Sequence, residues 1–274
     1  MDDGEVKFES TKQGILQTNG FSSVDPKYMS AVEIIIPFHG LYNRVSSLLE
    51  SIFATVTRNR YQITLVDDGS PNDGFIKEIS SNNSPGLVCM RMNENRGFAS
   101  AINYAIQNRK HSWIPYICIL HTDIVISDSN WLSGLGSAFK KLKTKGVKMV
   151  SARSNNFGNG LKHLDTTNSQ KCDDVILGGD DYLPNFCSLC HVDLFKYIGL
   201  FKEFPLAGCE SHEFAKRMQN NGFSQAVVGS SFVHHDGLGT TSKLPEKMKE
   251  ILRKTHNDYH AEINLNKPHV NTIG

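Results

Sequence analysis

Ile117-Cys118-Ile119-Leu120-His121-Thr122-Asp123-Ile124-Val125-Ile126 carries an apolar run into a His-Thr-Asp step and then resumes the run. A short run of this composition reads as a buried strand. Two metal-ligating side chains in its middle make sense if the strand delivers them to a ligand. His121 and Asp123 are two residues apart, so on an extended chain both point to the same side, where an imidazole and a carboxylate can reach one divalent cation. A packed histidine beside a loop-fixing aspartate is the plainer alternative.

The flanking segments repeat one pattern. Residues 32–36 (VEIII) are an apolar run stopped by Pro37, and after Gly40 the positions Val45, Leu48, Leu49, Ile52 and Phe53 fall on one helical face. Residues 61–66 form a second strand that ends in Asp67-Asp68-Gly69-Ser70-Pro71, with Phe75, Ile76 and Ile79 marking the next helix. Residues 87–90 are a third strand, followed by Asn95-Arg96-Gly97 and a helix over 99–107. Residues 117–126 are then a fourth strand, 131–142 a helix and 147–151 a fifth strand. Such alternation implies an α/β fold, doubly wound and mostly parallel, with helices on both faces. Its ligand site should lie beyond the carboxyl ends of the strands. Pro37-Phe38-His39, Asp67-Asp68, Asn95-Arg96-Gly97 and His121-Thr122-Asp123 all fall at that edge.

The totals narrow the function classes. With 274 residues, 39% of them hydrophobic, the chain can build one sizeable core. Twenty-nine Lys plus Arg against 28 Asp plus Glu give a net charge of +1, which disfavours nucleic acid as partner. No stretch has the length of an integral membrane span, and residues 1–30 lack a signal-peptide pattern, so a soluble cytoplasmic protein, at most peripheral to a membrane, is expected. The six cysteines read as reduced thiols. Cys187-Ser188-Leu189-Cys190-His191 matches the short haem-attachment pattern, but buried thiols are the favoured reading, because neither export nor a second iron ligand is signalled and a lone CxxC is half a zinc site.

Downstream, residues 152–185 are polar and irregular, 186–204 return to apolar character, 210–220 read as a helix with Phe214, Ala215 and Met218 inward, and 244–263 as a last helix. His39, His191 and His212 stand near these clusters only by proximity.

Taken in order, "VEIIIPFHG", "ITLVDDGSPNDG", "NENRGFASAINYAI", "ICILHTDIVISDSNWL", "GCESHEFAKRMQNNGF" and "FVHHDGLGTT" resemble family 2 glycosyltransferases with the GT-A fold. The resemblance covers residues 32–240. It implies a single GT-A-like domain, with a nucleotide-sugar-binding half over 32–130 and an acceptor-side half over 150–240, preceded by an arm (1–31) and followed by a C-terminal helix and tail (241–274). By the same resemblance, Pro37, Phe38, His39, Asp67, Asp68, Arg96, Gly97 and Thr122 would line the nucleotide sugar, and Asn103 would fix the neighbouring helix. Asp123 takes the last position of the family's Asp-x-Asp metal motif, and His234 or its neighbour His235 matches the late histidine that reaches metal or diphosphate. The segment Glu210-Ser211-His212-Glu213 matches the family's Glu-Asp-x-Asp segment.

Two departures stand out. His121 replaces the first carboxylate of the metal motif, and an imidazole there suits Mn2+ better than Mg2+. Ser211 replaces the usual catalytic aspartate, and a serine cannot take the proton unaided at neutral pH, so the base falls to Glu210, with Glu213 the alternative. The implied activity is inverting, metal-assisted transfer of a sugar from a nucleoside diphosphate, UDP favoured, to a hydroxyl of a glycan or glycoconjugate. A non-catalytic nucleotide-sugar or glycan-binding descendant of a transferase, or a sugar nucleotidyltransferase, are the other classes; the last would want a basic Gly-rich loop after the first strand, and Pro37-Phe38-His39-Gly40 offers none.

Overall fold

A computed structural model describes residues 31–56, 61–81, 86–157, 161, 172–204, 208–237 and 246–265. The expected N-terminal arm, apart from Ala31, and the tail after residue 265 lie outside the described residues. The chain runs β1 (Val32–Phe38), α1 (Tyr42–Thr55), β2 (Tyr61–Asp67), α2 (Gly74–Ser81), β3 (Leu87–Arg91), α3 (Phe98–Gln107), β4 (Tyr116–Leu120), β5 (Ile124–Val125) and α4 (Trp131–Leu142). It continues through β6 (Val147–Ser154), β7 (Val175–Ile176), β8 (Cys187–His191), α5 (Leu194–Ile198), α6 (Glu210–Asn220), β9 (Ser224–His235) and α7 (Glu246–Leu265).

The strands lie in the order β3-β2-β1-β4-β8-β6-β9-β5, with β7 against β9. From β3 to β4 all pairings are parallel, as is β6 with β9, while β8 runs antiparallel between β4 and β6. Strands β1 and β2 are buried on both faces, as parallel strands covered by helices must be. Because β1 has β2 on one side and β4 on the other, the strand order reverses beside it, and the crevice at the carboxyl ends of β1 and β4 is the switch point where α/β sheets bind ligands.

The apolar run 117–126 is not one strand. β4 ends at Leu120, the His121 N–H bonds the Phe186 carbonyl at 2.9 Å, and Thr122-Asp123 turn the chain so that Ile124 and Val125 pair antiparallel with His235 and His234. Ile117 to Leu120 are all buried, and beyond the turn Ile124 and Ile126 are buried and Val125 is exposed, so the apolar run continues on both sides of a turn that periodicity alone does not reveal. The polar stretch 152–185 also contains more order than its composition suggests: β6 extends to Ser154 and β7 adds to β9.

At the opposite end of the sheet lies a buried ion pair. Glu33 is fully buried in β1, accepts from Thr64 Oγ1 at 2.7 Å on β2 and from Arg109 Nε at 2.6 Å, and Arg109 also bonds the Ile114 carbonyl. The pair fastens the connection between α3 and β4 to the central strands. Removing one partner leaves a buried charge uncompensated, which costs about 3–5 kcal/mol. Arg109→Met should therefore lower the chemical-denaturation stability by that amount, whereas Arg109→Met with Glu33→Leu should recover most of it. Equal losses in the single and double variants would show that packing, not the ion pair, is what matters there.

Candidate functional site

Three strand-end loops are laced together at the switch point. The Asp68 N–H bonds the Phe38 carbonyl at 2.8 Å, His39 Nδ1 lies 2.8 Å from the Asp68 carbonyl, and the Gly40 N–H bonds Ser70 Oγ at 2.8 Å. Asp67, fully buried, accepts from the Ser70 N–H at 2.8 Å and pairs with Arg91. The Asp68 carboxylate accepts from the backbone N–H groups of Arg96 and Gly97, both at 2.8 Å. Burial pushes the Asp68 carboxyl up, and those N–H groups only partly offset it. Gly69 has φ +61°, and a Cβ there would stand 2.3 Å from the Glu94 backbone, so only glycine lets the second and third loops approach.

The sequence-derived site residues in these loops thus share one edge, with distinct surroundings. Pro37 is half-buried, while Phe38 is core, packed edge-on against Tyr42 and Phe75. Gly97 opens α3, and the exposed Arg96 guanidinium meets Glu203 at 3.0 Å. Asn103 bonds both the N–H and the carbonyl of Phe201, tying α3 to the segment before α6.

Next to these loops, His121, Asp123 and His235 each offer a ligand atom, all within 4.8 Å of one another. His235 Nε2 is 3.3 Å and His121 Nδ1 3.9 Å from Asp123 Oδ1. Thr122, half-buried, lies in the turn between two of them. His234 does not join: its side chain is 51% exposed and faces Asp236 at 3.4 Å, because successive residues of a strand point to opposite faces. What sends His235 inward is an irregularity in β9. Ala152 faces Val228 but Arg153 faces Phe232, so three extra residues, Gly229 to Ser231, bulge out and reset the alternation.

The electrostatics of the trio suit a cation. Burial holds the His121 imidazole down to about 4, so it is neutral at physiological pH, the form that ligates metals. His121 Nε2 is buried without a hydrogen-bond partner among the described residues. Burial opposes ionisation of Asp123, but the hydrogen bond from His235 and the favourable electrostatics of the two imidazoles outweigh it and its carboxyl falls below the usual range. Burial likewise opposes protonation of His235, and the Asp123 hydrogen bond and charge outweigh that, raising its pKa. A proton on His235 does here what a bound metal would do: it keeps three electron-pair donors together. The residues fit a divalent ion of the kind two imidazoles and a carboxylate hold.

Residues not marked in the sequence hold this group in place. Asn155 clamps the His235 backbone from both sides, accepting its N–H at 2.7 Å and donating to its carbonyl at 3.1 Å. The Asn156 carbonyl lies 2.9 Å from His235 Nδ1, which sets that nitrogen as the N–H and turns Nε2 toward Asp123. Phe186 stacks on the His235 ring at 4.8 Å and Phe98 meets the His121 ring edge-on at 4.8 Å. Only the adjacent asparagines in "SNNFGN" hint at this in the sequence.

Glu210 opens α6, is 6% exposed, and accepts the Gly208 N–H at 2.6 Å. Burial pushes its carboxyl above the usual range despite backbone hydrogen bonds that act the other way. Glu213 is engaged otherwise: both its oxygens bind Arg217, at 2.7 and 2.8 Å, and Arg217 also bonds the Ile198 and Leu200 carbonyls. Tyr182 lies beside Glu210, its phenol pushed up by burial and then by the nearby charges of Cys209 and Glu210, and its ring meets His212 at 4.9 Å. Tyr259 of α7 packs against His212 and Phe204. His191 sits at the end of β8, 3.4 Å from Asp193, and Cys187 and Cys190 are buried core positions of that strand.

Residues 33–199 match the model of the family described as Glycosyl transferase family 2. No curated protein matches the sequence. Among solved structures, the chain is similar to the mannosyltransferase PcManGT from Pyrobaculum calidifontis in complex with GDP-Man and Mn2+, at 18% identity and TM-score 0.57, over 83% of this chain and 63% of that one. It is also similar to S. aureus TarS (15% identity, TM-score 0.53, 82% and 64% covered) and to GalNAc-T7 with UDP, GalNAc and Mn2+ (14% identity, TM-score 0.53, 80% and 48% covered). At such identities the likeness is one of fold, and this chain spans less than two thirds of each of those structures.

The clamp on His235 can be tested without any assay of activity. Loss of a side chain that orients a metal ligand typically weakens binding by about 10–100-fold. Asn155→Ala should weaken Mn2+ binding, titrated by electron paramagnetic resonance, within that range, and His234→Ala should leave it unchanged. The reverse pattern would make His234 the ligand.

Proposed function

The chain belongs to glycosyl transferase family 2, and from that membership we propose that it transfers a sugar from a nucleoside diphosphate, UDP by preference, to a hydroxyl of a glycan or glycoconjugate, with inversion. The observation that carries the proposal is the convergence of His121, Asp123 and His235 at the switch point of the sheet, linked through residues 185 and 186 to the helix that Glu210 opens.

In this reading the loops of Pro37, Phe38 and His39, of Asp67 and Asp68, and of Arg96 and Gly97, together with Thr122, surround base, ribose and diphosphate. Their mutual hydrogen bonds support a preformed cradle, since little is left to order when the donor arrives. Asp123, His121 and His235 would hold a divalent cation, Mn2+ favoured over Mg2+ by the two imidazoles. Such an ion supplies neutralisation of the charge that develops on the departing diphosphate.

Glu210 is the proposed base. The acceptor oxygen bonds the anomeric carbon as the bond to the diphosphate oxygen breaks on the opposite face, and the acceptor proton passes to Glu210. Its raised pKa makes it a better proton acceptor than an ordinary glutamate. The commitment of both Glu213 oxygens to Arg217 supports Glu210 over Glu213. A binding protein without turnover is the second reading, favoured by Ser211 standing where the base is expected and bonded to Asn185 at 3.1 Å. No helix among the described residues is long and apolar enough to cross a membrane, and the proposed place of action is the cytoplasm.

Removal of a general base typically costs about 10²–10⁴-fold in rate. Glu210→Gln should lose UDP release from a UDP-sugar and acceptor by that factor while UDP still binds, and a variant as active as the parent would remove Glu210 from the mechanism. The carboxylate is the active form, so kcat/KM should fall as pH falls through the raised pKa, with its acid limb above the 4.5 of an ordinary glutamate. Donor binding itself is read by thermal shift: a nucleotide sugar at about 100 times its Kd stabilises by about 2.7 kcal/mol. If none of the common nucleotide sugars raises the melting temperature with or without Mn2+, the donor assignment fails.

A further inference from the structure

Residues 182–186 join the two chemical centres. The Tyr182 ring meets His212 of the helix that Glu210 opens at 4.9 Å, the Phe186 ring stacks on His235, and the Phe186 carbonyl takes the His121 N–H. Between them sits Asn185. It is fully buried and adopts φ +56°, a left-handed conformation that asparagine tolerates better than most residues. Its Nδ2 donates to Ser211 Oγ at 3.1 Å, and its Oδ1 has no hydrogen-bond partner among the described residues. A buried amide with one side satisfied and the other bare is costly in a native protein and calls for a partner that arrives later.

The place of that amide in the chain narrows the partner. One residue onward is the ring that supports the cation group, and its hydrogen-bonded neighbour Ser211 is next to Glu210. In a displacement reaction the group that lies between a departing diphosphate and an attacking acceptor is the transferred sugar. A sugar hydroxyl is both donor and acceptor, so it satisfies whichever end of the Asn185 amide is bare. We infer that Asn185 binds a hydroxyl of the transferred sugar and sets which donor sugar is accepted, with Ser211 positioning the amide. This rests on the donor-binding reading above. It also gives Ser211 a role: at the position where a carboxylate is expected, a hydroxyl can hold Asn185 without adding a second buried charge beside Glu210.

The test is calorimetric and uses the full chain with Mn2+ present. The probes are UDP, UDP-glucose, UDP-galactose, UDP-N-acetylglucosamine, GDP and GDP-mannose. A site that loses its hydrogen bond to a substrate hydroxyl loses about tenfold or more in affinity for that substrate. Asn185→Ala should bind the bare nucleotide as the parent does and lose about tenfold for the preferred nucleotide sugar, so that discrimination among sugars collapses. Ser211→Ala, a substitution at a half-exposed position, should lose the same discrimination in smaller measure and decides the matter if Asn185→Ala does not fold. Equal weakening of UDP and UDP-sugars would assign Asn185 a purely structural role and overturn the inference, as would unchanged sugar discrimination in both variants. If the parent chain binds none of the six probes, the donor-binding reading itself falls and takes this inference with it.

Discussion

Asp123 and His235 stand 3.3 Å apart although 112 positions separate them in the numbering, and much of the architecture exists to hold them there. A carboxylate and two imidazoles crowded at a sheet edge repel through their lone pairs unless a proton or a cation lies among them. The fold meets that constraint with fixed elements. The chain turns after Leu120, β9 bulges at Gly229 to Ser231, Asn155 grips the His235 backbone, and Phe98 and Phe186 wall the rings. Each of these devices costs local regularity, and together they bring three side chains that could hold a metal ion within 4.8 Å of one another.

The same strategy of fastening polar groups by hydrogen bonds recurs through the sheet. Asp68 spends both carboxylate oxygens on the N–H groups of Arg96 and Gly97, which fixes the loop before α3. Glu213 spends both of its own on Arg217, which satisfies carbonyls at and just after the end of α5. Glu33 and Arg109 do the equivalent at the far edge. Against that background, Glu210 stands out as a buried carboxylate held by backbone N–H groups and raised in pKa by its burial. Groups with full sets of partners build the site, and groups left with spare capacity are the ones suited to chemistry.

How much of this the sequence disclosed follows from the range of the interactions. The parallel half was readable because each strand is a local apolar run followed within a few residues by Gly40, Gly69 or Gly97, and each helix declares its 3.6-residue period nearby, although β1 runs through the expected stop at Pro37 to Phe38. The mixed half was not, because β8 and β9 take their places through pairings with β4 and β6, distant in the chain. An apolar run that continues on both sides concealed the break after Leu120. His121 and Asp123 could be found as polar interruptions of an apolar run. The choice between His234 and His235 could not, since it turns on the parity of a strand whose bulge leaves no mark beyond Gly229. Asn155, Asn156 and Asn185 act through backbone groups and neighbours that only the fold assembles.

The most direct measurement is crystallographic: anomalous scattering from crystals grown with Mn2+ and UDP, recorded above and below the manganese absorption edge. The expected result is a manganese peak coordinated by His121, Asp123 and His235, with the Asn155 clamp on His235 intact and His234 turned away. Manganese coordinated by other residues, or no ordered manganese at saturating concentration with the trio held together by a proton alone, would contradict it.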